Sequence, residues 1–277
     1  MSNDNKGVIK VGIYIDVSNI AQNGGYGMHY DILRDFACRT HGIAMRLNAY
    51  VAFDEQKAKE SPEYYTKSNN FHCVLRDYGF KVIIKKVKWY FDENNNKIGK
   101  ANADLDMAVD ALSQSDRLDY VLLATGDGDF TQVVKTLQNR GCRVEVLAFK
   151  NISSDLKREA DVFTSGYLVP GLIDTDGGDQ TKVWGEVGSR VRGICYLWFR
   201  EKGYGFFRFI KKVDGSLWVY DTRKDDSAYS TIFVHESRIP EIVDINTLPN
   251  RDTMFEFTIG KWEKGLQALD VKAIYKY

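Results

Sequence analysis

The sequence predicts an α/β domain built on a mostly parallel sheet, followed by a small all-β barrel or sandwich. Three observations predict it. Residues 8–149 alternate apolar strand-like runs with helix-spaced segments, and that alternation builds a parallel sheet covered on both faces. Residues 191–275 carry short strand-like runs cut by glycines and charged turns, with no convincing helix of four turns. That is the pattern of a small barrel or sandwich. Between the two, Asp174 to Thr181 is polar, holds two glycines and no apolar residue, and reads as a linker.

The elements follow in order. Val8–Val17 is a β-branched, nearly continuous apolar run, as a buried parallel strand requires. Tyr30–Cys38 has helical spacing, Met45–Phe53 reads as a strand and Glu63–Tyr78 as a helix. Phe80–Phe91 is strand-like and Asn94-Asn95-Asn96 a turn. Asp104–Ser113 is helical, Asp119–Ala124 a buried strand, Phe130–Arg140 a helix and Arg143–Phe149 a strand. In the second half, the strand-like runs are Val191–Arg200, Tyr204–Ile210, Ser216–Tyr220, Ile232–Val234, Met254–Lys261 and Ala268–Tyr275.

Lys+Arg and Asp+Glu each total 38 in 277 residues. Zero net charge excludes a protein that holds nucleic acid by bulk charge alone, but leaves a local basic patch open. Residues 181–277 hold 16 basic and 13 acidic residues, and residues 1–180 hold 22 and 25, so the halves differ in sign. No stretch approaches the roughly 18 apolar residues of a membrane helix. The N-terminal MSNDNKG is polar and lacks a signal-peptide core. Cys38, Cys73, Cys142 and Cys195 are too widely spaced for a zinc pattern. Reduced thiols in a cytoplasmic protein are expected.

In open parallel sheets, ligands bind at the carboxyl ends of the strands. The first strand ends Ile15-Asp16-Val17-Ser18-Asn19, and a later one runs into Thr125-Gly126-Asp127-Gly128-Asp129-Phe130. An acidic residue opening a helix gains about 0.3–1 kcal/mol from structure alone. A third acid comes from Lys100-Ala-Asn-Ala-Asp104. At helical spacing, Leu105, Ala108, Val109 and Leu112 share the core stripe. Asp104 then lies at its edge, within reach of a cleft, whereas Asp106 and Asp110 point away to solvent. Carboxylates crowded at one sheet edge repel each other, and a hard cation such as Mg²⁺ relieves the repulsion. Such a metal can serve phosphodiester hydrolysis with no His or Ser triad. His29, His41 and His72 follow no metal or triad spacing. A HAD-type phosphatase fits less well, because Ser18 stands where its second Asp belongs.

The three motifs, in this order, resemble the NYN (LabA-like) branch of the PIN-like nuclease superfamily over residues 8–168. The resemblance implies a Rossmann-like sheet whose acids gather on Mg²⁺ or Mn²⁺ to cleave RNA. Asp16, Asp104, Asp127 and Asp129 match its acidic positions, and Asn19 the polar residue after the first. Lys100 matches a basic residue that could touch phosphate, one residue further from Asp104 than the family usually has it. Asp110 also matches the family pattern. The resemblance further implies that such domains can pair as a homodimer.

In the second half, Lys202-Gly-Tyr204-Gly-Phe206-Phe207 interleaves a base, glycines and aromatics. With period two, Tyr204 and Phe206 share a strand face, as do Phe233 and His235. Two such strands side by side form an aromatic platform, and Phe207 and Val234 fill the core from the opposite face. Bases stack on such platforms at about 1–3 kcal/mol each. These runs, with the closing Lys264-Gly-Leu-Gln-Ala268, resemble the cold-shock domain, a five-stranded OB-fold, over residues 187–277. Tyr204, Phe206, Phe233 and His235 match its stacking positions and Lys202 its basic one. Leu197 falls where the family has a stacking Trp, and a one-residue bulge would restore Trp198 to that place. Glu236 replaces a usual aromatic.

The resemblances together imply a PIN-like domain at 1–173, a linker at 174–186 and a cold-shock-like OB-fold at 187–277. The expected function is a metal-dependent ribonuclease cutting single-stranded RNA held by the second domain. The alternatives are a non-catalytic RNA-binding regulator, and a binder or nuclease of single-stranded DNA.

Overall fold

A computed structural model describes residues 8–39, 41–91, 97–177, 181–213, 217, 221–263 and 265–276. The chain forms two compact units, Met1–Tyr26 with Leu33–Thr164, and Gly27–Ile32 with Ser165–Tyr277.

The first unit carries a six-stranded sheet. In chain order the strands and helices are β1 (Lys10–Asp16), α1 (Val17–Ile20), α2 (Tyr30–Ala37), β2 (Ile43–Phe53), α3 (Glu55–Glu60), α4 (Pro62–Asp77) and β3 (Lys81–Lys86). Then come β4 (Lys88–Phe91), β5 (Lys97–Lys100), α5 (Asp104–Gln114), β6 (Tyr120–Ala124), α6 (Thr131–Asn139), β7 (Arg143–Ala148), α7 (Ser154–Glu159) and β8 (Val162–Ser165). The sheet order is β3-β2-β1-β6-β7-β8. β1 pairs in parallel with both β2 and β6. The chain thus builds outward on one side of β1 and then on the other. Between β1 and β6 lies the switch point, where the strand order reverses and loops diverge to leave a crevice.

The central strands are buried on both faces, so Val11 to Asp16 show no exposed position. The core gathers Tyr14, Val121, Leu123, Val144 and Val146 from strands, with Met107, Ala111, Val134 and Leu137 from helices. Phe80–Phe91 is not one strand. β3 ends at Lys86, and β4 leaves the main sheet to pair antiparallel with β5. The Asn94-Asn95-Asn96 turn lies outside the described residues.

The core face of α5 differs from the expected stripe. Met107 and Ala111 are buried, whereas Leu105 is 67% and Val109 55% exposed. Polar contacts explain the rotation. Tyr50 donates its hydroxyl to Asp110 at 2.7 Å, and Lys85 pairs with Asp106. Both aspartates, expected in open solvent, are half-buried and bound to the sheet.

The second unit holds a closed five-stranded barrel, β9 (Arg190–Phe199), β10 (Tyr204–Ile210), β11 (Tyr229–His235), β12 (Asn250–Trp262) and β13 (Gly265–Lys276), in the order β10-β11-β13-β12-β9. Its closure is consistent with an OB-like domain. The core packs Phe207, Phe209, Ile232, Val234, Phe255 and Phe257. Phe207 and Val234 fill it as the alternation predicts. Of the expected strand Ser216–Tyr220, only Leu217 falls within the described residues.

The start of the expected linker is tied to the barrel. Glu256 is fully buried and takes Arg190 at 2.7 Å and Arg192 at 2.8 Å. Arg192 also donates to the carbonyl oxygens of Ile173 and Asp174. Lys272 pairs with Asp176 at 2.8 Å. Trp184 donates its indole N–H to the Ile210 carbonyl. The polar composition of Asp174–Thr181 predicts a linker, and it does not reveal that Arg192 and Lys272 hold Asp174 and Asp176.

Candidate functional site

The carboxyl ends of β1 and β6 bring the first acids together. Asp16 is the last residue of β1 and caps α1, accepting the Asn19 backbone N–H at 2.9 Å. A capping carboxylate satisfies a helix donor that would otherwise be orphaned. Asn19 in turn accepts the Gly126 N–H through its side-chain oxygen at 2.9 Å. One residue therefore pins the β1 end to the β6 end. A side chain at Gly126 would press within 3.1 Å of the Asn151 carbonyl oxygen, so the close approach favours glycine. Asp127 caps the next turn by accepting the Asp129 N–H at 3.0 Å.

Asp104 opens α5 and shares a hydrogen bond with Asp16. Asp16 is 5% exposed. Burial, then the nearby Asp104 charge, pushes its carboxyl up to about 6, against the pull of the Asn19 N–H. Burial likewise raises Asp104, with Asp127 and Asp129 adding repulsion. The four predicted acids are thus electrostatically one group. They are not equivalent: Asp16 is buried, Asp127 half-buried, and Asp104 and Asp129 exposed. No set of three His, Cys, Asp or Glu side chains among the described residues is close enough to ligate one ion as it stands.

Asp16, Asn19, Asp104 and Asp127 line one cleft of about 590 Å³. Sequence reasoning missed its other wall, which includes Asp54, Lys57, Tyr64 and Trp89. Asp54 caps α3 by accepting the Gln56 and Lys57 N–H groups. The sequence signal was available, since Asp54 follows a strand and precedes a helix. Trp89 was hidden inside the run read as a single strand. The side chain of Lys100 lies outside the described residues.

On the barrel, Tyr204, Phe206 and Phe233 form one cluster with ring centroids 5.5–6.2 Å apart. Phe199 joins at 5.1 Å from Tyr204, and Trp262 at 5.6 Å from Phe233. His235 stands opposite Tyr204 in the β10–β11 register and is exposed. Lys202 holds its ammonium 6.0 Å above the Phe199 ring. Trp198 corrects the expectation: it is 7% exposed and packs in the barrel core. The bulge at Phe206/Phe207 sets Leu197 opposite Phe206 and Trp198 opposite Gly205. The indole lies where a Gly205 Cβ would stand, 2.4 Å from its ring. Leu197 and Phe199, exposed by 36% and 38%, alternate with it. Phe199 and Trp262 were missed, although they stand three residues before Lys202 and two before Lys264.

No helix among the described residues is long and apolar enough to cross a membrane.

Known proteins resemble part of the chain. The chain is 27% identical over 159 residues to the low amplitude and bright protein LabA of Synechococcus elongatus, covering 55% of this chain and 81% of LabA. It is also similar to a solved structure from Vibrio parahaemolyticus described as a protein of unknown function. There the identity is 25% and the TM-score 0.45, over 60% of this chain and 96% of that one. The NYN domain family matches residues 10–172, more than half of the sequence. The chain belongs to the NYN domain family.

Proposed function

We propose that this protein is a metal-dependent ribonuclease that cuts single-stranded RNA, with a cold-shock-like barrel holding the strand. NYN membership and the likeness to LabA point to a PIN-like, RNA-related protein. The observation that carries the catalytic reading is the convergence of Asp16, Asp104 and Asp127 on one cleft at the sheet's switch point.

The donor set fits a divalent cation. It is all carboxylate oxygen, which suits hard ions such as Mg²⁺ or Mn²⁺. It also holds mutual repulsion that a cation would relieve. Asp16, Asp104, Asp127 and Asp129 would hold the ion, which would supply charge stabilisation to a phosphodiester under attack. One of these aspartates serves as the base that orients water. Asn19 acts as a positioning residue, since its side-chain oxygen fixes the Gly126 turn on which Asp127 stands. On the barrel, Tyr204, Phe206, Phe233 and His235 offer faces on which bases stack, and Lys202 offers a phosphate partner.

The test is cleavage of an end-labelled single-stranded RNA with Mn²⁺ or Mg²⁺, beside EDTA and Asp127→Asn. The expected result is cutting that requires metal and falls at least ~100-fold in the variant. Binding without cutting, equal in both proteins, would overturn it. That outcome belongs to the second reading, a non-catalytic RNA-binding regulator. The observation favouring the regulator is that no three ligating groups stand close together among the described residues. A matched DNA oligonucleotide in the same assay separates RNA from DNA as substrate.

A further inference from the structure

The cleft holds more than acids. Four residues past Tyr50, which is level with Asp16 in the sheet, β2 delivers Asp54 and then α3. At a strand rise of about 3.3 Å per residue, Asp54 stands roughly 13 Å along the strand direction from Asp16. Against Asp54, Tyr64 is fixed by two contacts. Its ring stacks on Phe53 with centroids 5.9 Å apart, and its hydroxyl accepts the Asp54 N–H at 3.1 Å. Lys57 carries its ammonium 5.0 Å from the Tyr64 ring centroid. It is the only Lys or Arg among the described residues that line the cleft. Trp89, on the β4–β5 hairpin, is 41% exposed and faces Gly99 in register. Its ring lies 3.0 Å from where a Gly99 Cβ would stand, so it rests on bare backbone.

This wall combines flat aromatic faces, one cation and the amide side chains of Gln22 and Asn102. Apolar faces take a base, an ammonium takes a phosphate, and amides bond to base edges. We infer that the Trp89–Tyr64–Lys57 wall is a nucleotide subsite that holds one base of single-stranded RNA beside the acidic cluster. The inference rests on the ribonuclease reading and deepens it. Trp89 supplies the stacking face, Lys57 the phosphate contact and Tyr64 the rigid backing. The subsite fixes which phosphate stands over Asp16, Asp104 and Asp127, so it acts on substrate binding and not on the chemical step.

The experiment uses the full chain carrying Phe206→Ala and Phe233→Ala, so that the barrel face does not mask the cleft. Binding of a labelled RNA hexanucleotide is measured with EDTA and with Mn²⁺, before and after adding Trp89→Ala, Trp89→Phe or Lys57→Ala. The expected result is about a tenfold loss for Trp89→Ala, with Trp89→Phe within about twofold of its parent. Lys57→Ala flattens the salt dependence. Cleavage by Trp89→Ala in the same Phe206→Ala, Phe233→Ala background shows KM raised about tenfold with kcat within about twofold. Unchanged binding in Trp89→Ala, or no binding by the parent in either condition, overturns the subsite. Tighter binding of a matched DNA overturns its assignment to RNA. If no protein cleaves while the binding pattern holds, the ribonuclease reading falls and the nucleotide subsite stands.

Discussion

Among the described residues three carboxylates are buried, and the fold treats them in two ways. Glu145 and Glu256 are fully buried, and each has arginine: Arg39 for the first, Arg190 and Arg192 for the second. Asp16 is nearly as buried, yet no cationic partner reaches it among the described residues; its neighbour is another carboxyl, Asp104. Burying a charge unpaired is costly, so proteins supply a counter-charge unless the group has another task. Where this chain needs a buried acid for architecture, it provides the cation. At the sheet's switch point it leaves the acids to each other, and perturbed carboxyls in a cleft are characteristic of functional sites.

The comparison breaks most visibly at the paired acids. Arg192→Met removes one of two guanidiniums from Glu256 and the clamp on Ile173 and Asp174. A loss of about 3 kcal/mol in unfolding free energy is expected by urea denaturation. Asp104→Asn, which removes a like charge and not a counter-charge, should leave stability unchanged or raised while cutting falls. A loss as large as that of Arg192→Met would erase the distinction.

The next effect is on binding. Phe233→Ala should weaken single-stranded RNA binding by about 1–3 kcal/mol, read by fluorescence anisotropy. Trp198→Phe should leave binding within about twofold and lower the melting temperature instead, since Trp198 packs in the core. The reverse pattern would place the stacking face elsewhere.

A smaller effect is on pH. The proposed cutting calls for an ionised Asp16, and burial pushes its carboxyl up to about 6. The cleavage rate should therefore rise as pH passes through about 6 at low metal concentration and level off above it. A profile flat from pH 5 to 8 would show, against an ordinary Asp near 3.9, that Asp16 is not the limiting acid.

How much was legible in the sequence differs between the same regions. The β1 and β6 runs and the motifs at their ends could be read, because continuous apolar strands and Asp-Gly turns are local signals. The face of α5 could not, because Leu105 and Val109 are as apolar as Met107. Only the partners of Asp106 and Asp110 on other elements decide the rotation. Trp198 was misassigned for a similar reason, as the direction of a bulge is set by the neighbouring strand. Trp89 was missed because a strand's departure from its sheet leaves no mark in its own residues.

The most direct test of the central claim is the pH dependence of stability with and without Mn²⁺, in the wild-type chain and in Asp16→Asn. The folded carboxyl of Asp16 lies above its unfolded value, so its neutral form adds stability that is fully present below about pH 4. That stability is lost as pH rises through about 6. In EDTA at pH 8, Asp16→Asn should therefore be more stable than wild type by about 3 kcal/mol. Mn²⁺ should raise the wild-type melting temperature and leave the variant's nearly unmoved. A wild-type protein as stable as the variant at pH 8, with Mn²⁺ shifting neither, would contradict the reading of these acids as an uncompensated site for a cation.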